Sequence, residues 1–176
     1  MLSLATALLA LACVPGPTPG AALEERGELR PALSGERHTA LSEDGFFAVH
    51  WTAEGEDRPG KMSDADGNSL PDAVDRVLTG LETARVFYEG EGFAAVFPDG
   101  GGDDTPEIDV YIREIDAFGY AVPVAGLGGT SCYIELDPHL DTLGDGVAES
   151  VAAHELHHCV QYAYTTASHP WIYEAS

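Results

Sequence analysis

Residues 151–164 read VAAHELHHCVQYAY and place His154, Glu155, His157 and His158 within five consecutive positions of an otherwise apolar run. Successive residues of an α-helix turn by about 100°, so His154 and His158 fall roughly 40° apart on one face and one turn apart in height. Both imidazoles can then reach one ion. Glu155 lies about 100° round from His154, beside such an ion and not on it, where a carboxylate can take a proton from an ion-bound water. That is the mechanical content of the HExxH pattern. It makes His154 and His158 candidate zinc ligands and Glu155 the candidate general base. His157 is turned away from the pair and is expected in a supporting or surface role.

A catalytic zinc needs a third protein ligand and an open position. WIYEAS, residues 171–176, offers Glu174, sixteen residues beyond His158. His169 competes for the role, but it precedes Pro170 in what reads as a turn, so Glu174 is preferred. Burying two histidines and a glutamate without a metal is the structural alternative, at a cost of about 1–3 kcal/mol for each unsatisfied group.

A second group of oxygen donors lies upstream. DADGNSLPDAVD, residues 64–75, sets Asp64, Asp66, Asn68, the Leu70 carbonyl, Asp72 and Asp75 at positions one, three, five, seven, nine and twelve of a loop. This is the spacing of an EF-hand-like calcium site. Ser69 stands where glycine is expected, and Asp75 where a longer glutamate is usual. The alternative is an Asp/Asn/Gly turn with a capping aspartate. The expected cofactors are therefore a catalytic Zn2+ and a structural Ca2+.

The elements that must hold these groups are partly visible. Val74, Val77, Leu78, Leu81, Ala84 and Tyr88 recur at spacings of three and four, which predicts a helix entered at Pro71 and Asp72 and ended at Gly90. A second helix pattern runs from about Asp145 through the histidines, with Val147, Val151, His154, His158 and Gln161 on one stripe. FFAVHWT (46–52), EIDVYIREI (107–115) and SCYIEL (131–136) predict strands. GEGFAAVFPDGGGDDTPE reads as a loop around a short apolar patch, and AGLGGTS as a glycine-rich connection. A strand group with one helix before its later members and another after them is an α+β arrangement with a small mixed sheet.

The chain has 176 residues, 44% of them apolar, enough for one domain with a core. Thirty acidic against eight basic residues give a formal charge of -22, which disfavours nucleic acid and anionic membranes and favours cations as ligands. The apolar stretch from Leu4 to Val14 is shorter than the roughly 20 residues of a membrane span. It reads as a secretory signal over 1–14, with a small-x-small site at Ala10 to Ala12 and Cys13 as a candidate lipid anchor, although no Lys or Arg precedes it. Residues 15–44 are polar, rich in Pro, Gly and Glu, and read as a flexible linker or pro-segment, with the folded domain expected over 45–176. With Cys13 removed or lipidated, Cys132 and Cys159 remain as a candidate disulfide in an oxidising compartment; two buried free thiols are the alternative.

Taken in order, FFAVHWT, DADGNSLPDAVDRV, GFAAVFPD, DVYIREI, FGYAV, SCYIELD, AAHELHHCVQYAY and WIYEAS resemble the MXAN_6640 family of bacterial zinc metalloproteases, within the zincin fold. The resemblance covers roughly residues 45–176. It implies a zincin-like catalytic subdomain, His154, His158 and Glu174 as zinc ligands, Glu155 as base, and a peptide or protein as substrate. It also implies an edge strand above the metal helix that pairs with extended substrate, a place assigned here to SCYIEL. A Cys132–Cys159 bond would tie that strand to the back of the helix. The chain stops two residues after Glu174, so the domain reads as C-terminally incomplete. The expected function is a secreted or envelope zinc endopeptidase, inactive in this length if the missing part is needed, with Tyr173 a candidate for oxyanion stabilisation. The alternatives are a non-catalytic, calcium- and zinc-stabilised surface or adhesion module, its metal site closed by His157 or His169, and a metal-dependent hydrolase of something other than peptides.

Overall fold

A computed structural model describes residues 30–97, 106–125 and 130–164. Five strands form one mixed sheet: β1 (Arg37–Leu41), β2 (Phe47–Thr52), β3 (Ile108–Ile112), β4 (Gly119–Ala125) and β5 (Thr130–Leu136), in the order β1-β2-β3-β5-β4. β2, β3 and β5 run parallel, and β1 and β4 are antiparallel to their neighbours at the two edges. Two helices complete the α+β fold, α1 (Asp72–Gly90) and α2 (Val147–Tyr164).

Alternation along the central strands decides which face takes the helices. Phe47, Val49 and Trp51 of β2, Ile108, Val110 and Ile112 of β3, and Cys132, Ile134 and Leu136 of β5 join one buried cluster with Val74, Val77, Leu78 and Leu81 of α1 and Val151, Leu156 and Val160 of α2. The opposite face carries Tyr111, Tyr133 and Val124, with Leu33 packed on them, and a buried polar network. In that network His50 contacts Asp109 at 3.0 Å and the Thr39 hydroxyl at 2.9 Å, and Arg30 donates to Asp109 at 2.9 Å.

Three expectations need correcting. Residues 15–44 do not read through as linker, because Arg37–Leu41 pairs with β2, and Arg30 and Leu33 reach across the sheet. The domain therefore begins before Gly45. Four of the five β1 side chains are exposed, so this edge strand lacks an apolar signature and exists through its ladder with β2. The strand expected over 107–115 is confined to Ile108–Ile112. SCYIEL is not the edge strand: β5 lies inside, and β4, containing FGYAV residues, takes the edge. Gly119 and Pro123 hide β4 from a strand pattern, and Pro123, which has no N–H to donate, is tolerated because the strand is at an edge.

Candidate metal centre

α2 lies against α1 on one side and against β4 and β5 on another. Gly146, at φ 78°, makes the left-handed turn into the helix. Cys159 is bonded to Cys132 of β5, with Cα atoms 5.6 Å apart. The Tyr162 hydroxyl donates to the Ala121 carbonyl of β4 at 3.1 Å. The helix is thus fastened to β5 and to the edge strand β4 within four residues of His158.

On this helix the Nε2 atoms of His154 and His158 face each other at 3.1 Å, with the rings edge-on at 85°. Two zinc–nitrogen bonds of about 2.0–2.1 Å drawn to atoms that far apart enclose an angle of roughly 100°, within reach of tetrahedral coordination. These two donors fit a zinc ion. His158 is buried, and its Nδ1 contacts Gln161 Oε1 at 2.8 Å. Glu155 is also buried, at 4% exposure. Its side chain lies over Gly119, the first residue of β4: a Cβ there would sit 2.7 Å from Glu155 Cγ and 2.8 Å from Oε1. Only glycine leaves that space to the carboxylate.

His157 points elsewhere, as its angular position requires. Its ring packs 5.2 Å from Tyr88 of α1 and 6.4 Å from Phe93. Both ring nitrogens are buried without a hydrogen-bond partner. Burial, then the proximity of His158, depresses its pKa below the ordinary histidine value. It is neither a surface residue nor joined to the His154/His158 pair. Glu174, Tyr173 and His169 lie outside the described residues. Among the described residues no three His, Cys, Asp or Glu side chains are grouped to hold a metal.

The 64–75 loop is organised by its own side chains. Asp64 accepts hydrogen bonds from the backbone N–H groups of Gly67, Asn68 and Ser69 at 2.7–3.0 Å. The Asn68 amide nitrogen donates to Asp66 and Asp75. Asp72 accepts from Ala65 N–H and the Ser63 hydroxyl, which hold its pKa low. Asp75 is pushed up, first by burial and then by Asp66, Asp72 and Asp64. Ser69, at loop position six, has φ 74°, the conformation for which an EF-hand loop uses glycine. The Leu70 carbonyl stands at position seven, just before α1 begins.

Neither Gln161 nor Gly119 belongs to the HExxH pattern or to the calcium-type loop. Gln161 was visible on the histidine stripe, three residues from His158. The approach of Gly119 to Glu155 spans 36 positions and leaves no local pattern. Comparisons with known protein families, curated proteins and solved structures found no match.

Proposed function

We propose that this chain is a zinc-dependent metallopeptidase acting in the cell envelope or outside the cell. One observation carries the reading: two imidazole Nε2 atoms 3.1 Å apart on a helix whose next residue after His154 is a buried glutamate lying against an edge strand. The MXAN_6640-type pattern of motifs and the apolar N-terminus support the class and the compartment. His154, His158 and Glu174 would hold the metal, which when bound supplies Lewis acidity and an acidified water.

The chain's own residues do the rest. A Glu155 carboxylate oxygen receives the proton of the attacking water and returns it to the leaving amine. Its burial beside Gly119 keeps that oxygen at one place, close to the strand along which substrate would lie. β4 has β5 on one side only among the described residues, so its outer edge can take an extended peptide by β-augmentation. This is the role that SCYIEL was expected to play. The 64–75 loop would bind calcium as a structural ion that fixes the start of α1. No helix among the described residues is long and apolar enough to cross a membrane.

The test is metal content by mass spectrometry, together with peptide hydrolysis, for the parent and for His158→Ala, Glu174→Ala and Glu155→Gln. About one zinc per chain is expected in the parent, sharply reduced by the first two substitutions. Glu155→Gln should keep the zinc and lose turnover. A Glu155→Gln protein with every property of the parent would instead mean a structural site, and the non-catalytic surface module would replace the peptidase.

A further inference from the structure

We infer that Gln161 is a positioning residue for His158: its side-chain carbonyl holds the imidazole proton on Nδ1 and presents Nε2 as a bare lone pair towards His154. The two residues are three positions apart on α2, on one face of the helix. The contact is 2.8 Å from His158 Nδ1 to Gln161 Oε1. An amide oxygen can only accept, so the hydrogen in this bond belongs to Nδ1, and a neutral His158 then has none on Nε2. The Nε2–Nε2 contact of 3.1 Å agrees with this, since two bare lone pairs facing each other at that distance would repel. One hydrogen lies between the rings, and with Nδ1 of His158 occupied it is carried by His154 Nε2.

His158 is thereby set in the tautomer that a metal ligand needs before any metal arrives, whereas His154 is not. A partner on the far nitrogen also fixes the ring's rotation and raises its basicity, the role that carboxylates and backbone carbonyls play for other metal-binding histidines. As a device for zinc, this rests on the reading proposed above; as a statement about the proton on His158, it does not. Gln161 is half-buried at the rim of the pair, so its replacement leaves the core of α2 untouched.

The experiment uses the full chain labelled with 15N-histidine, the parent beside Gln161→Leu and Gln161→Glu. Long-range 1H–15N correlation on metal-free protein near pH 8, where neutral imidazoles prevail, reads each tautomer. The parent should show His158 protonated on Nδ1 and His154 on Nε2. Gln161→Leu should leave His158 a mixture, and Gln161→Glu, which keeps an acceptor, should restore Nδ1–H. Zinc titration should show a loss of about 10- to 100-fold for Gln161→Leu and none for Gln161→Glu. His158 protonated on Nε2 in the parent overturns the inference, as does parental zinc affinity in Gln161→Leu. A parent with the expected tautomers that binds no zinc would sink the metallopeptidase reading and leave the role of Gln161 standing.

Discussion

Gly80 of α1 lies against the first turn of α2. A Cβ at this position would meet Glu149 O at 2.6 Å, Glu149 Cα at 2.7 Å and Glu149 C at 3.0 Å. These are backbone atoms in the first turn of α2, and they cannot rotate aside. Two effects of Gly80→Ala oppose each other. Alanine in a helix interior gains about 1 kcal/mol over glycine. Against it, the helices must part by about 0.8 Å to restore 3.4 Å contact, and a gap of that order forfeits a quarter to a half of the dispersion energy across an interface. Overpacking costs about 1–3 kcal/mol, and a rigid backbone obstacle places this case at the upper end. The expected net loss is about 2 kcal/mol, a fall in Tm of roughly 4–8 °C for a domain of this size. Gly90, the last residue of the same helix, has nothing within 4 Å of its would-be Cβ, so Gly90→Ala should be neutral or stabilising by a few tenths of a kcal/mol. Thermal and urea unfolding of both variants decides the matter. A Gly80→Ala protein as stable as the parent would refute the packing argument, and a loss in Gly90→Ala would show that alanine is disfavoured in this helix for some other reason.

Replacing Cys132 and Cys159 by serine opens a cross-link across a sequence separation of 27; the chain-entropy relation gives a loss of about 3.5 kcal/mol, read as a Tm lower by roughly 10 °C. His157 titrates below its ordinary 6.5 in the folded state, so between that value and its folded pKa the unfolded chain binds the extra proton and stability falls as pH drops. His157→Phe should remove that part of the acid dependence and raise stability at neutral pH by about 1–3 kcal/mol, as followed by melting between about pH 5 and 8; an unchanged slope would speak against it. The raised pKa of Asp75 works in the opposite sense: its contribution is present below 3.8 and lost as pH rises through the folded value, so at neutral pH the ionised group opposes folding. Asp75→Asn should therefore stabilise the calcium-free chain by less than about 1 kcal/mol and abolish any rise in Tm that added calcium gives the parent. Gly119→Ala should keep zinc and parental stability but lower turnover by about a hundredfold, the effect of moving a base by an ångström; equal turnover would show that Glu155 is not held by that contact.

What the sequence revealed and concealed follows from where each residue finds its partners. α1 and α2 were legible because their apolar stripes repeat over eighteen or more residues. β2, β3 and β5 were legible because every one carries apolar side chains on the helix-facing side. β1 and β4 were not, since an edge strand can expose four of five side chains, or contain glycine and proline, and still be held by one neighbouring ladder. The histidine pair was legible for a geometric reason: helix rotation alone brings positions 154 and 158 together. The same arithmetic turned His157 away but could not say that it would meet Tyr88 and Phe93, because those residues come from other elements. The contact between Glu155 and Gly119 was illegible in the same way.

These contacts separate two kinds of control over the proposed centre. Cys159 and Tyr162 anchor α2 to β5 and β4 on either side of Gln161, and Glu149 sets its distance from α1 at the other end. Together they fix the helix as a body, so perturbing any of them moves stability and site together. Gln161 and Gly119 act on single side chains whose backbone is already held: one on the proton of His158, the other on the carboxylate of Glu155. Substitutions there should alter metal affinity or turnover while the melting temperature stays near that of the parent. That contrast distinguishes a metal-binding catalytic helix from a merely well-packed one, because packing alone offers no reason for the two groups of residues to differ.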